Sequence, residues 1–234
     1  MPEPFRVPIE GEESVSAIAY DTPARRGAGI TLILGHGAGA GQSSAFMVDF
    51  ATALAARGID AVTFNFPYME AGRRLPDSND RLEACYRAVI DSVRRERTSA
   101  HHAVAIGGKS MGGRIASQVA AGASGLAGIV LLGYPLHPPG KPRQLRVRHL
   151  PKVAAPMLFV QGTRDTFGTP EELQAVLAQL PRAELYPVEN GDHSFKVLKR
   201  AGVPQEAVYA RIQDKIADWL GDGPVTGAGV TIAH

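Results

Sequence analysis

Short apolar runs alternate with amphipathic stretches along most of the chain. Residues 30–34, 61–64 and 129–132 have the length and apolar content of buried strands. Between the first two of these runs, residues 43–57 repeat apolar side chains every four positions and end before Gly58, a pattern typical of a helix. Strands that alternate with helices predict an α/β fold, with a mostly parallel sheet and helices on both faces.

The same patterns predict the remaining elements. Further strands are expected at residues 14–20, 103–106, 157–160 and 184–186. Further helices are expected at residues 80–97, 111–121, 171–180 and 205–220. The chain has no internal repeat and no linker, so residues 1–220 are expected to form a single domain. Residues 221–234 are rich in glycine and small residues, and we expect them to be a mobile C-terminal tail.

The amino-acid composition indicates which partners and which cellular compartment to expect. The 25 basic and 23 acidic residues leave a net charge of +2, which does not favour nucleic-acid binding. Cys85 is the single cysteine, which excludes an internal disulfide and suits a reducing compartment. The N-terminus has no apolar segment of the signal-peptide type, and no apolar run approaches membrane-spanning length. We therefore predict a cytoplasmic protein without a membrane or nucleic-acid partner, in an undetermined oligomeric state.

Ser110 is the candidate nucleophile. It lies between Gly108 and Gly112 in a Gly-x-Ser-x-Gly sequence, directly after a predicted strand and before a predicted helix. That context is typical of a nucleophile elbow, a sharp turn that exposes the serine hydroxyl and needs glycines on either side. The Gly-Lys-Ser tripeptide also ends phosphate-binding loops, but that motif requires a glycine where Ala103 stands.

Two further residues complete a predicted catalytic triad. In this type of sheet an acid and then a histidine follow the serine along the chain. Asp165 follows the predicted strand at residues 157–160, and His193 lies in the loop between the last strand and the last helix. Taken singly, Asp165 is also consistent with a helix cap and His193 with a surface loop. Their order and placement after Ser110 favour the roles of orienting acid and general base.

The loop at residues 35–41 is a candidate oxyanion hole. Its glycines follow a predicted strand and allow a backbone N–H to point into the site. We predict that the backbone N–H groups of Ala38 and Met111 are the two donors. A dinucleotide-binding loop is the alternative, but it needs Gly or Ala at the position of Gln42, and an acidic residue near Asn65.

Five segments together resemble the α/β-hydrolase superfamily: residues 35–41, 64–74, 107–114, 161–165 and 191–195. Within it, the chain is similar to small dienelactone-hydrolase-like predicted hydrolases, whose animal relatives include a subunit of a histone acetyltransferase complex. The resemblance implies an α/β-hydrolase fold with a mostly parallel eight-stranded sheet. It also implies Ser110 as nucleophile, His193 as base and Asp165 as the orienting acid.

These residues predict a serine carboxylesterase-like hydrolase that acts on a small-molecule acyl substrate through a covalent acyl-enzyme. That chemistry requires neither a metal nor an organic cofactor. Five other histidines show no metal-ligand spacing: His36, His101, His102, His137 and His149. The alternative is a non-catalytic binding or scaffold protein that retains the triad, which the resemblance to a chromatin-complex subunit permits.

Residues 133–156 are too short and too rich in proline for a helical cap, so we expect a short lid or none and an open cleft. The predicted substrate contacts are Tyr68, Arg73, Arg74 and Tyr134. Leu136, Phe167 and Phe195 also follow strand ends and are further candidates to line the cleft. The segment at residues 133–156 carries four cations, Lys141, Arg143, Arg146 and Arg148. Two cations facing the cleft would favour a carboxylate or phosphate on the substrate, whereas a solvated basic surface is the alternative.

Overall fold

The computed structural model describes residues 1–11, 13–23, 27–97 and 102–221. Its strands are β1 (Glu3–Pro8), β2 (Ser14–Tyr20), β3 (Ile30–Gly35), β4 (Asp60–Phe64), β5 (Ala103–Lys109), β6 (Ile129–Leu132), β7 (Met157–Gly162) and β8 (Ala183–Val188). Its α-helices are α1 (Ala45–Ala56), α2 (Pro67–Glu70), α3 (Asn79–Glu96), α4 (Met111–Ala120), α5 (Pro170–Leu177) and α6 (Gln205–Gly221). Short 3-10 helices occupy Leu150–Lys152 and Lys199–Ala201. The predicted tail lies outside the described residues, except for Gly221.

The strands form one eight-stranded sheet in the order β1-β2-β4-β3-β5-β6-β7-β8. Strand β2 runs antiparallel to both β1 and β4, and the remaining neighbouring pairs are parallel. The prediction of a mostly parallel, eight-stranded α/β-hydrolase sheet is therefore confirmed. Because parallel strands end at a common edge, the loops that follow β3, β5, β7 and β8 meet above that edge.

Helices pack on both faces of the sheet and create two apolar cores. Helices α3, α4 and α5 contribute side chains such as Tyr86, Ile115 and Leu173 to one core. Helices α1 and α6 contribute Phe50 and Trp219 to the other. Every residue of β3 and β6 is buried, because strands covered on both faces carry continuous apolar runs instead of alternating ones. These runs are the reason why the central strands were predictable.

One strand and one α-helix, as well as the two 3-10 helices, were not predicted from the sequence. Strand β1 contains two prolines and buries only Val7, and prolines are tolerated there because the strand lies at the edge of the sheet. Helix α2 is a single turn with Pro67 at its start, which is too short to show any periodicity. Among the described residues, no helix is long and apolar enough to cross a membrane.

Candidate active site

Ser110 occupies a sharp turn between β5 and α4. Its backbone has φ 52° and ψ −113°, a conformation that residues other than glycine rarely adopt. A hydrogen bond of 2.9 Å from Ser110 N to Leu132 O holds the turn against β6. The neighbouring Gly108 has φ 153°, and a Cβ there would lie 2.2 Å from Gly35 O. The turn that raises Ser110 above the sheet therefore depends on glycine at this position.

Ser110, His193 and Asp165 form a continuous hydrogen-bonded chain. His193 Nε2 lies 2.8 Å from Ser110 Oγ, and His193 Nδ1 lies 2.7 Å from Asp165 Oδ2. A carboxylate only accepts hydrogen bonds, so Nδ1–H donates to Asp165 and the lone pair of Nε2 faces the serine hydroxyl. The arrangement places a proton acceptor next to the hydroxyl and an anion behind that acceptor.

Asp165 is held in place by several donors. Its side chain is almost fully buried, with 1% exposed, and accepts hydrogen bonds from Gln161 Nε2 at 2.9 Å and from Phe167 N at 2.8 Å. Gln161 also donates to Gly168 O at 2.7 Å, which ties the loop after β7 to the strand. The ring of Phe167 stacks on His193 with 4.2 Å between centroids. Gln161 was not anticipated, although a glutamine inside a fully buried strand signals a need for polar partners.

Asp192, the acid adjacent to His193, has a different role. Its Oδ1 accepts hydrogen bonds from Ser194 N at 2.8 Å and Lys196 N at 2.9 Å. These contacts close the loop that carries His193. The carboxylate therefore organises the backbone of that loop, and Asp165 is the acid that contacts the imidazole.

The residues of the two predicted oxyanion donors, Ala38 and Met111, line the cleft that contains Ser110. Within the part of the chain that the structure describes, neither backbone N–H donates to a protein acceptor. Met111 is the first residue of α4, so its N–H is one of the unpaired donors of a helix N-terminus. The role of these two groups as oxyanion donors stays a prediction.

His36 fixes the conformation of the loop that carries Ala38. Its Nε2 accepts a hydrogen bond from Phe66 N at 3.1 Å, which leaves the proton on Nδ1 to donate to Gly37 O at 2.9 Å. Burial lowers the pKa of His36 to about 4, although the Gly37 carbonyl opposes the shift, so the ring is neutral at pH 7. The imidazole therefore links the loop after β3 to the end of β4.

A cleft of about 960 Å³ opens above Ser110 and is also lined by His193 and Phe167. Residues 133–156, all of which the structure describes, contain one 3-10 turn and no α-helix. They form no helical cap, as the prolines predicted. Among the described residues, no group of three or more His, Cys, Asp or Glu side chains is arranged to hold a metal ion.

Comparison with known proteins places the chain in a family. Residues 28–221 match the sequence model of the α/β hydrolase domain family. The protein belongs to the α/β hydrolases. Solved structures of the same fold include a lidless α/β serine hydrolase from Xanthomonas campestris, with 20% identity, TM-score 0.74 and coverage of 95% of this chain and 97% of that one. A dienelactone hydrolase from Anabaena variabilis shows 20% identity, TM-score 0.73 and coverage of 95% and 98%. A cold-adapted esterase from an Arctic intertidal metagenomic library shows 18% identity, TM-score 0.67 and coverage of 93% of both chains.

The aromatic contacts predicted for this α/β hydrolase are mostly absent from its cleft. Tyr68 is fully buried because α2 turns it beneath the loop after β3, where its ring lies 5.9 Å from that of His36. Tyr134 is also fully buried, and its hydroxyl donates to Arg146 O at 2.6 Å. Contrary to expectation, neither Tyr68 nor Tyr134 is among the residues that line the cleft. Leu136 and Phe195 are buried too, whereas Phe167 lines the cleft.

The basic side chains that line the cleft also differ from those that were predicted to do so. Arg73 and Arg74 are exposed and do not line the cleft, and Arg73 pairs with Asp77 at 2.6 Å. The cleft is instead lined by the residues that follow this pair, Pro76 and Asp77, and the ion pair with Asp77 holds Arg73 at the surface. Of the four cations at residues 133–156, only Arg146 lines the cleft. Arg114 of α4 also lines it, and this residue was not predicted from the sequence.

Lys109, next to the candidate nucleophile, is a buried cation. Its side chain lines the cleft, is 9% exposed, and its Nζ has no hydrogen-bond partner in the described part of the chain. Nζ lies 5.6 Å from the centroid of the Phe195 ring, a cation–π contact. Burial lowers the pKa of Lys109 to about 8, opposed by the charges of Asp165 and Asp192. The ammonium thus adds positive charge near Ser110 at neutral pH.

Proposed function

We propose that this α/β hydrolase is a serine hydrolase that cleaves an ester-type acyl bond of a small molecule through a covalent acyl-enzyme. The observation that carries the proposal is the hydrogen-bonded chain from Asp165 through His193 to Ser110 at the floor of an open cleft. A serine hydrolase, a dienelactone hydrolase and an esterase among the solved structures of the same fold support it.

The proposed reaction begins with attack of Ser110 Oγ on the carbonyl carbon of the substrate. His193 Nε2 accepts the hydroxyl proton as the new C–O bond forms, and then gives that proton to the departing alcohol oxygen. Water next attacks the acyl carbon while His193 accepts a proton from it. Collapse of this second tetrahedral intermediate releases the carboxylic acid, and the proton returns to Ser110 Oγ.

Two backbone groups and one carboxylate assist these steps. The N–H groups of Ala38 and Met111 donate to the oxygen that becomes negative in each tetrahedral intermediate. Removal of one such donor in a comparable site costs roughly 2.7–4 kcal/mol of transition-state stabilisation. Asp165 holds the proton of His193 on Nδ1 and stabilises the imidazolium that forms during attack.

A fluorophosphonate probe tests the proposal directly, because it modifies an activated serine by the same nucleophilic attack. We expect mass spectrometry to locate the adduct on Ser110, and Ser110→Ala or His193→Ala to abolish both labelling and the hydrolysis of a panel of short esters. Ser44→Ala is the matched control, since Ser44 lines the same cleft without contacting the triad. This control should retain labelling.

Labelling of Ser110→Ala at the wild-type level would refute Ser110 as the nucleophile. If wild-type protein with an intact circular dichroism spectrum neither reacts with the probe nor hydrolyses any ester, the binding or scaffold function is the better account. The fold and triad geometry are compatible with that outcome, so the experiment separates the two functions.

A further inference from the structure

Two arginines converge on the cleft beside the candidate nucleophile. Arg114 lies on α4, four residues after Ser110, and Arg146 lies on the loop that follows β6. Both side chains are half-buried, and both line the cleft together with Ser110 and Met111. The two guanidinium groups thus come from separate elements to the same side of the site.

Neither arginine is neutralised by a carboxylate. In the described ranges, no Asp or Glu oxygen lies within salt-bridge distance of Arg114 or Arg146. Arg114 donates to the neutral acceptors Gln118 Oε1 at 3.0 Å and Asn79 Oδ1 at 3.1 Å, and Arg146 donates to Pro135 O at 3.3 Å. A guanidinium has five N–H donors, so both groups retain donors for a ligand.

The positive charges of Arg114 and Arg146 also act on each other. Burial lowers the pKa of Arg114, and the positive charge of Arg146 lowers it further, against smaller opposing interactions with Tyr134 and Glu83. The neighbouring His149 adds no charge at pH 7, because burial and then the charge of Arg114 lower its pKa to about 4. Two like charges in a partly desolvated site repel each other, and an anion between them relieves that repulsion.

The acidic side chains that line the same cleft do not pair with Arg114 or Arg146. Asp77 faces Arg73 at 2.6 Å and Arg81 at 3.9 Å. The other two acidic lining residues, Asp49 and Glu206, belong to α1 and α6, which pack on the opposite face of the sheet from α4. In the described part of the chain, Arg114 and Arg146 therefore line the cleft without a carboxylate partner.

We infer that Arg114 and Arg146 form a binding subsite for an anionic oxygen group, a carboxylate or a phosphate, carried by the substrate. The inference rests on the proposed hydrolase function, since it assumes that the scissile carbonyl lies at Ser110. Arginine binds both groups through two parallel hydrogen bonds, and two arginines around one group provide charge and orientation together. The subsite selects acidic esters over neutral esters of the same length.

The test compares three esters of matched length, which end in a methyl, a carboxylate or a phosphate group. We expect wild-type kcat/KM to be at least about tenfold higher for one of the anionic esters than for the neutral ester. The ester with the larger ratio identifies the anion. Arg114→Gln and Arg146→Gln should each reduce that ratio several-fold, and Arg146→Lys, which keeps the charge but not the planar fork, should give an intermediate ratio. High salt should reduce the wild-type ratio as well.

Arg148→Gln is the matched control, because Arg148 lies two residues from Arg146, is exposed, and does not line the cleft. It should leave the ratio unchanged. A wild-type ratio near one, or a ratio that neither Arg114→Gln nor Arg146→Gln lowers, overturns the subsite even when Ser110 is labelled and the neutral ester is hydrolysed.

Failure of the hydrolase proposal has a different signature, namely the absence of both labelling and ester hydrolysis. In that case, calorimetric titration with succinate and with inorganic phosphate decides the subsite. Binding to wild type that Arg146→Gln weakens and Arg148→Gln does not would support it, and equal or absent binding to all three proteins would overturn it.

Discussion

Asp165 shows how single side chains set the geometry of the site. It is almost fully buried, and its two oxygens receive hydrogen bonds from His193, Gln161 and the backbone of Phe167. The position of the carboxylate is therefore fixed by the fold before any substrate binds. The imidazole of His193 is oriented by the hydrogen bond to this carboxylate and by stacking on the ring of Phe167.

We expect Asp165→Asn to lower kcat roughly 10²–10⁴-fold, because an amide removes the negative charge behind His193 and favours the wrong imidazole tautomer. Steady-state kinetics with a neutral ester measures the effect. Asp192→Asn is the control, since Asp192 bonds to backbone N–H groups instead of the ring, and it should cost less than about tenfold. A greater loss of kcat in Asp192→Asn than in Asp165→Asn would identify Asp192, and not Asp165, as the acid that orients His193.

At the residue scale, the order of segments along the chain was enough to predict which side chains form the triad. It was not enough to predict which of the other side chains are buried and which line the cleft. Ser110, Asp165 and His193 follow separate predicted strands, and the order of those segments sufficed to propose that they meet. Tyr68 also follows a strand, but the unpredicted turn of α2 buries it. Arg114 was missed because a sequence does not show which face of α4 lies beneath the cleft. The triad roles, the oxyanion donors, the cytoplasmic location and the cofactor-free chemistry stay predictions.

At the scale of elements, the site depends on how closely the β5–α4 turn approaches β3. A Cβ added to Gly112, in the first turn of α4, would lie 2.1 Å from Gly35 O and 2.7 Å from His36 O. The helix therefore packs directly on the backbone that leads into the loop of Ala38. This contact constrains the separation of the two candidate oxyanion donors, because Met111 begins α4 and Ala38 lies in the loop directly after β3.

Gly112→Ala should destabilise the protein by roughly 1–3 kcal/mol, because α4 and β3 must separate to admit the methyl group. It should also lower kcat, since the separation moves the N–H of Met111 relative to that of Ala38. Chemical denaturation and ester kinetics measure the two effects. Gly122→Ala, just after α4, is the control, because the nearest atom to its added Cβ, Val119 O, is 4.0 Å away. Equal stability of the two variants would contradict the packing argument.

Element types were predictable where the sheet is covered on both faces, and less so at its margin. The central strands contain unbroken apolar runs because helices cover both of their faces. Strand β1 pairs only with β2. Its two apolar residues, Phe5 and Val7, are flanked by prolines and separated by Arg6, which gives too weak a pattern for a strand to be predicted. The antiparallel placement of β2 between β1 and β4 is likewise invisible in the sequence, because chain order alone does not determine strand order.

At the scale of the whole molecule, buried and half-buried titratable groups make the stability of the fold depend on pH. Burial lowers the pKa of both His36 and His149 from 6.5 to about 4, so both rings stay neutral in the folded protein at mildly acidic pH. Burial opposes ionisation of Glu70, but hydrogen bonds from Ser16, Arg6 and Asn65 outweigh it and lower the pKa to about 2. The two histidines therefore affect the free energy of unfolding at a higher pH than Glu70 does.

The direction of the effect follows from proton binding. Between pH 6.5 and about 4 the unfolded chain protonates these histidines and the folded protein does not, so the free energy of unfolding falls as the pH falls. The slope is at most about 1.4 kcal/mol per pH unit for each histidine, and smaller for the partly exposed His149. Glu70 contributes stability that is lost between pH 4.5 and about 2.

We expect urea denaturation of the wild type at a series of pH values to show stability falling already between pH 6.5 and 4.5, in the histidine window. His149→Gln should reduce that slope, because glutamine does not titrate and its amide can still donate to Ser117 Oγ, as His149 Nε2 does at 2.8 Å. Glu70→Gln should lower stability without altering the slope above pH 4.5. A wild-type free energy of unfolding that is constant from pH 6.5 to 4.5 would show that the folded protein protonates these rings as readily as the unfolded chain does.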